Sequence, residues 1–301
     1  MNKVGPHAGQ QGALFCLGAT EGTPILYIHG GTLPCAMMIG YAFDRHGSGA
    51  DALDGAGFTP WGLDFPGYGR GDIPAAFASD PAVHPPLCPA IDMAEIVIAA
   101  LEQLHQRYGR AALVIAHSWG TMAALRAAGT RPDMVARLAL IGPIAARAMT
   151  VPNTPLPAWI DLTLEAQHTR FSAEVLTGYE PVLAEPDLRT WGAAWYAMSA
   201  RHGDGVQVPS GFEQDLRNAF SGKPDYDASR VSAPTLLLRG AWDTICTDKD
   251  MATLWHGLAN CHARQMLTID RATHVPILEQ QRFAVWAAIA AFFHTNSASQ
   301  S

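Results

Sequence analysis

The stretch that decides the fold is LVIAHSWGTMAALRAAG, residues 113–129. It begins as an apolar run, passes through Ser118 and continues as a helix-like series of Ala, Met and Leu. When a strand turns into a helix within about one residue, the side chain at the turn projects clear of the sheet, and the flanking positions must be small. Ala116 and Gly120 are small, so AHSWG departs from G-x-S-x-G only at its first position. The pentapeptide favours a nucleophile at the turn, although alone it also fits an N-capping serine.

Short apolar runs alternate with helix-length segments on both sides of this stretch. Runs rich in Leu, Ile and Val are typical of parallel strands that are buried on both faces. The predicted strands are residues 24–30, 58–67, 111–117, 135–142, 233–240 and 263–270, with residues 12–18 as an antiparallel edge strand. The predicted helices are residues 91–108, 118–128, 248–258 and 281–294. This alternation predicts an α/β fold, a mostly parallel sheet with helices on both sides.

The alternation stops at residue 144 and resumes at residue 230. We therefore expect residues 1–143 and 230–301 to form the core, and residues 144–229 to form an inserted helical lid, or cap, over one edge of the sheet. The aromatic residues of this insert include Trp159, Trp191, Trp195 and Tyr196. They can line a substrate pocket, or they can form the core of the lid itself.

Composition excludes several classes of partner. The net charge of −7 comes with no basic run, so nucleic acid is not an expected partner. No apolar segment suits a signal peptide or a membrane span. Five scattered cysteines are typical of free thiols in the cytoplasm, and the twelve histidines form no metal-ligand motif. We expect a cytoplasmic protein with a small-molecule substrate and no metal. Only its ends, residues 1–11 and 295–301, are expected to be disordered, and its oligomeric state stays open.

A serine nucleophile requires a neighbouring base that an acid orients. Asp243 follows one predicted strand, and His274 follows the next strand along the chain. Catalytic groups collect at the carboxyl ends of parallel strands, so these two side chains are expected to meet Ser118. Ser118, Asp243 and His274 are the predicted nucleophile, acid and base. Asp248 and Asp270 remain alternatives for the acid.

Attack on a carbonyl group also requires two preset donors for the oxyanion. The backbone N–H of Trp119 is one predicted donor. The second is the N–H of Gly31 or Thr32 in the HGGT motif, where glycines let the backbone approach a substrate closely. We interpret His29 and His117 as structural residues that brace these two segments.

The motifs HGG, LDFPGYGRGD, AHSWG, GAWDTIC and THVPILEQ occur in the order typical of the α/β-hydrolase superfamily. The chain resembles that superfamily from about residue 12 to residue 293. The resemblance implies the α/β-hydrolase fold and a Ser-His-Asp enzyme without a cofactor, acting on an ester, amide, lactone or thioester. HGG together with HSWG is similar to the prolyl aminopeptidase branch, but this chain has HGGTLP where that branch has HGGPG.

Three functions follow from these residues. The first is a serine esterase that cleaves a small carboxylic ester through an acyl-enzyme on Ser118, with a bulky or aromatic acyl group. The second is an amide hydrolase of the prolyl aminopeptidase type, a branch that holds a free amino terminus with lid carboxylates. The third is a ligand-binding member of the fold without catalysis. The glutamates of the insert are Glu165, Glu174, Glu180, Glu185 and Glu213.

Overall fold

The computed structural model describes residues 1–19, 21–43 and 47–295. Its strands are β1 (Asn2–Val4), β2 (Gly12–Cys16), β3 (Thr23–Ile28), β4 (Phe58–Asp64), β5 (Ala112–His117), β6 (Val135–Ile141), β7 (Trp159–Thr163), β8 (Arg201–His202), β9 (Gly205–Pro209), β10 (Thr235–Gly240) and β11 (Arg264–Ile269). Within these ranges the main sheet has eight strands, in the order β1-β2-β4-β3-β5-β6-β10-β11. Pairing is antiparallel among β1, β2 and β4 and parallel from β4 to β11.

Eight α-helices lie in the described ranges. They are α1 (Gly49–Gly55), α2 (Ala90–Tyr108), α3 (Gly120–Thr130), α4 (Leu164–Arg170), α5 (Glu185–Met198), α6 (Gly211–Phe220), α7 (Asp248–Gly257) and α8 (Arg282–His294). Short 3-10 turns lie at Cys35–Met37, Ala75–Ala78, Pro81–Val83, Pro132–Met134 and Ala228–Arg230. The predicted α/β class is confirmed, since each predicted strand and helix of the core is present within a few residues of its expected bounds.

The burial of the strands follows their position in the sheet. Strands β4, β5 and β10 are buried at every position, as expected where neighbouring strands lie on both sides and helices cover both faces. Strand β11 forms an edge and buries only Ile269. The carboxyl ends of β3, β5, β6, β10 and β11 meet at one edge of the sheet, where the loops that follow them lie together.

The N-terminal end of the chain differs from the prediction. Disorder is predicted for residues 1–11, but β1 pairs with β2 and buries Val4 against the core. One apolar side chain and a short ladder suffice there, which a search for apolar runs does not detect. The predicted edge strand is β2, and it lies second from the edge because β1 extends the sheet. For the predicted C-terminal tail, residues 296–301 lie outside the described residues.

Residues 144–229, called the insert below, contain α4, α5 and α6 but are not purely helical. Strands β7, β9 and β8 form a three-stranded antiparallel sheet in this segment. The helices predicted for this segment are present, but the prediction did not include this sheet. The strands have five residues or fewer, and runs that short give too weak a periodic signal to separate strand from loop.

Two features of the fold bear on membranes and metals. In the ranges that the structure covers, no helix has both the length and the apolar character to cross a bilayer. The same ranges contain no group of three His, Cys, Asp or Glu side chains arranged to hold a metal ion. All five cysteines are free thiols.

Candidate active site

Ser118 lies at the sharp turn between β5 and α3. Its φ is +52°, a left-handed conformation that strains a residue with a Cβ. Its backbone N–H donates to the carbonyl of Ile141 over 2.8 Å, which holds the turn against β6. A Cβ at Gly120 would collide with the carbonyl oxygen of His29, so the small residue expected there is required. Ser118 is half-buried while its two chain neighbours are buried, so its side chain reaches accessible space.

Three side chains form one hydrogen-bonded chain at the carboxyl edge of the sheet. Ser118 Oγ lies 2.7 Å from His274 Nε2, and His274 Nδ1 lies 2.9 Å from Asp243 Oδ2. Asp243 Oδ1 accepts from the backbone N–H groups of Ile245 and Cys246, over 2.9 and 2.7 Å. The structure thus brings together the three residues that the sequence singles out as nucleophile, base and acid.

The surroundings of Asp243 favour the ionised form of its carboxyl group. Burial alone would raise the pKa of Asp243, but the charge and hydrogen bond of His274 and the two backbone N–H groups hold it below its ordinary value. An ionised Asp243 accepts the Nδ1–H of His274 and leaves Nε2 unprotonated toward Ser118. In this tautomer His274 can take the hydroxyl proton of Ser118.

The two other aspartates considered for the acid lie away from His274. The Asp248 side chain is 88% exposed and pairs with Arg239. The Asp270 side chain is 85% exposed and lies 3.7 Å from the guanidinium of Arg271. Neither makes a hydrogen bond to His274 in the part of the chain that the structure covers.

Two carboxylates hold the loop that carries His274. The insert residue Glu174 accepts from the backbone N–H of His274 over 2.9 Å and from the N–H of Thr244 over 2.7 Å, and it also bonds the Thr244 hydroxyl. Glu279 accepts from the N–H of Thr273 over 2.9 Å and bonds its hydroxyl. Burial raises the pKa of Glu279 to about 7. Sequence reasoning did not find these two roles, because no motif marks a carboxylate that binds distant backbone.

Gly142 lies beneath the His274–Asp243 pair. It directly follows β6 and has a φ of +54°. A Cβ at this position would lie 2.9 Å from His274 Cε1 and 3.2 Å from Asp243 Oδ2, closer than ordinary carbon contacts. Only glycine satisfies both the conformation and the space.

The HGGT loop faces Ser118 from the end of β3. A Cβ at Gly30 would lie 2.9 Å from Ser118 Cβ, which shows how closely the two segments approach. The backbone N–H groups of Trp119 and Gly31 donate to no other residue in the described ranges, so both are free for a substrate oxygen. Thr32 is buried, with a φ of +79°.

The two histidines interpreted as structural are buried and make backbone contacts. His29 Nε2 accepts from the N–H of Phe65 over 3.1 Å, and its Nδ1 lies 2.6 Å from the Gly30 carbonyl. Burial, aided by the nearby His274, lowers the pKa of His117 to about 3. His117 is therefore neutral at ordinary pH, and its Nε2 lies 2.8 Å from the His274 carbonyl.

The aromatic residues proposed for the pocket act mainly as anchors between the insert and the core. Trp191 and Trp195 are 0% exposed, and their indole N–H groups donate to the carbonyls of Met37 and Thr32, over 2.9 and 3.2 Å. Trp159 is 5% exposed and packs beside Phe77 in a separate small cluster.

The fourth proposed residue, Tyr196, has no contact with the HGGT loop in the described ranges, and a different aromatic residue of the insert lies against that loop. Tyr196 is half-buried and packs against the guanidinium of Arg201. The ring of the half-buried Phe212 lies so close to Gly31 that a Cβ on this glycine would be 2.8 Å from it. Sequence reasoning did not select Phe212, since a lone aromatic residue on a short helix gives no signal of its own.

A buried carboxylate of the insert fixes the ring of Trp119. Asp215 Oδ2 accepts from the Trp119 indole N–H over 2.6 Å and from the backbone N–H of Ala90 over 2.7 Å. Burial raises the pKa of Asp215 to about 6, although both bonds act in the opposite direction. The residue after Ser118 is thus held by the insert as well as by the core.

Comparison with known proteins agrees with this architecture. A family model described as the alpha/beta hydrolase fold matches residues 23–281. A meta-cleavage product hydrolase from Pseudomonas fluorescens is 16% identical with a TM-score of 0.66, covering 97% of both chains. A thermophilic esterase from Thermogutta terrifontis is 19% identical with a TM-score of 0.60, again over 97% of both chains. A monoacylglycerol lipase from Paleococcus ferrophilus is 19% identical with a TM-score of 0.58, covering 93% of this chain and 98% of its own.

At these identities the solved structures show a shared fold and nothing finer. No curated protein sequence matches the chain significantly. The comparisons do not confirm the nearer resemblance to the prolyl aminopeptidase branch.

Proposed function

The chain belongs to the α/β-hydrolase fold family, and we propose that it is a serine hydrolase that cleaves a small carboxylic ester. The observation that carries this proposal is the hydrogen-bonded chain from Ser118 Oγ through His274 to Asp243, with distances of 2.7 and 2.9 Å. The Ser–His contact allows proton transfer from the hydroxyl, and the His–Asp contact stabilises the imidazolium that results.

The reaction proceeds in two halves. Ser118 Oγ attacks the ester carbonyl carbon while His274 Nε2 takes the hydroxyl proton, and the carbonyl oxygen becomes an oxyanion. The N–H of Trp119 and that of Gly31 or Thr32 stabilise this charge. The C–O bond then breaks, the alcohol leaves with the proton from His274, and an acyl group remains on Ser118. A water molecule, deprotonated by His274, releases the carboxylic acid and restores the serine.

An ester is preferred over an aminopeptidase substrate because of the charges near the site. A substrate ammonium requires a carboxylate partner, since an unpaired buried charge is costly. Of the insert glutamates, Glu174 is engaged with the His274 loop and Glu185 pairs with Arg189. Arg170 places a positive charge beside the HGGT loop, which opposes an ammonium there. The finer proposal of a bulky or aromatic acyl group is supported by Phe212 against Gly31.

The test is hydrolysis of p-nitrophenyl acetate by the wild type and by Ser118→Ala. We expect a burst of p-nitrophenol in the wild type and a loss of about 10⁴-fold or more in the variant, because the three residues act as a unit. The matched control is Ser79→Ala, which should keep full activity. Ser79 lies in a loop away from His274, and its hydroxyl donates to the Ala76 carbonyl. Equal turnover by Ser118→Ala would remove this serine as the nucleophile. Binding without any burst would favour a non-catalytic ligand-binding protein.

A further inference from the structure

One guanidinium of the insert reaches the loop that faces Ser118. Arg170 ends α4, and its Nη1 donates to Thr32 Oγ1 over 2.6 Å and to Gln167 Oε1 over 3.4 Å. Thr32 follows Gly31, one of the residues whose N–H the proposed function assigns to the oxyanion. A positive charge therefore lies beside the loop that the proposed function assigns to the oxyanion.

This charge has no counter-ion in the described ranges of the chain. No carboxylate lies within ion-pair distance of Arg170 there. Glu174, one turn further along, directs its oxygens to Thr244 and His274 instead. Arg170 is half-buried, and only its Nη1 hydrogen-bonds to described residues, while Nε and Nη2 do not. These two nitrogen atoms leave three N–H donors for a ligand.

The surroundings make this charge costly while it is unpaired. Burial lowers the pKa of Arg170, and the nearby Glu174 and Tyr68 only partly offset the effect. The contact with Thr32 needs only one hydrogen-bond donor, which a neutral amide side chain can supply. A guanidinium carries five N–H donors in a planar fork, so this contact alone does not account for an arginine here. An anion that a ligand brings to Nε and Nη2 would remove the cost and fill the fork.

We propose that Arg170 binds a carboxylate group of the substrate, so that the preferred substrate is an anionic ester such as the half-ester of a short dicarboxylic acid. This inference rests on the proposed esterase function and names its substrate class. A carboxylate matches the fork of Nε and Nη2 in a bidentate arrangement. With Nη1 held by Thr32, the guanidinium is already oriented before the substrate arrives, which reduces the entropy lost on binding.

The experiment compares two esters that differ by one charge. Mono-p-nitrophenyl esters of succinic, glutaric and adipic acid are assayed beside their methyl p-nitrophenyl diesters, with the Ser118→Ala rate subtracted as background. We expect the wild type to favour one of the anionic esters by about ten- to a hundredfold in kcat/KM, mainly through KM, as for a hydrogen bond to a charged group. Arg170→Gln should abolish this preference, because it should lower kcat/KM for the anionic ester far more than for the neutral diester. Arg170→Lys should keep part of it. Arg189→Gln, which removes an exposed arginine of the same insert, is the matched control and should keep all of it.

A second measurement does not depend on how the variants fold. Free glutarate should inhibit hydrolysis of the neutral diester competitively in the wild type, and dimethyl glutarate should not. The inference is overturned if the neutral ester is turned over through Ser118 but no anionic ester is preferred and glutarate does not inhibit. It is also overturned if Arg170→Gln slows both esters equally, which is the mark of a purely structural arginine. If neither kind of ester is turned over, the proposed function itself fails.

Discussion

Replacing Gly142 by alanine tests how tightly the site is built around His274. The added Cβ would lie 2.9 Å from His274 Cε1, 3.0 Å from Nδ1 and 3.2 Å from Asp243 Oδ2. Ordinary carbon contacts lie at about 3.5–4.0 Å, so the imidazole must move by about 0.5–1 Å. A movement of that size would break the 2.7 Å contact between His274 and Ser118. A displacement of about 1 Å can cost about 10²-fold in rate, and we expect that loss in kcat.

The backbone contributes a separate cost that a matched variant removes. Gly142 has a φ of +54°, where an alanine loses about 1–2 kcal/mol of stability. Gly109, at the end of α2, has a φ of +67° and nothing within 4 Å of its Cβ position. Gly109→Ala should therefore show the same loss of stability with full activity.

The assay is steady-state hydrolysis of an aryl ester, together with urea unfolding of both variants. The expected pattern is equal destabilisation and a loss of kcat only in Gly142→Ala. Wild-type kcat in a folded Gly142→Ala variant would refute the idea that the position of His274 limits the rate. Equal loss of kcat in both variants would assign the effect to the backbone strain.

Three further results are expected. Asp243→Asn should lower kcat by about 10³–10⁴-fold with an unchanged melting temperature, because an amide does not fix the histidine tautomer; a small loss would assign the acid to another residue. Glu174→Gln should lower kcat about tenfold at constant KM in the same assay, since one accepting oxygen becomes a donor. The control Glu180→Gln, at an exposed glutamate, should keep the wild-type kcat. If Glu174→Gln also keeps it, Glu174 has no positioning role. Folding raises the pKa of Asp215 from its ordinary value of 3.8 to about 6, so its contribution to stability is complete below about pH 4 and is lost as pH rises through 6. In urea unfolding, the free energy of unfolding of Asp215→Asn should therefore rise relative to the wild type by about 2 kcal/mol between pH 4 and pH 7. A difference that does not change with pH would contradict a raised pKa of the Asp215 carboxyl.

The core and the meeting of Ser118, Asp243 and His274 were predictable because their signals are local. A strand, a serine between small residues and a helix follow one another within residues 113–129, and the turn geometry depends on little else. Asp243 and His274 could be placed because each directly follows a buried parallel strand. Sequence order and sheet topology together then bring their loops to one edge.

The contribution of the insert could not be predicted, because it depends on contacts between distant segments. Glu174 binds the backbone of a residue 100 positions away, and Asp215 holds an indole 96 positions away. In the sequence both look like ordinary surface carboxylates. Arg170 likewise resembles a solvated charge at a helix end, which is favoured there for the helix dipole alone. The small β-sheet of the insert was missed because its strands are too short for a periodic pattern.

The polar links between the insert and the core have a consequence for exchanging parts among related enzymes. Consider an exchange in which the insert is replaced by the corresponding segment of another member of the fold family. In this chain such a transplant would remove the acceptor for the His274 N–H, the acceptor for the Trp119 indole and both side chains that bond Thr32. A chimera joined at residues 143 and 230 would inherit Ser118, His274 and Asp243 without the contacts that hold the His274 loop and the Trp119 ring in place. A hybrid should therefore be active only if the replacement for the insert provides the same hydrogen-bond donors and acceptors.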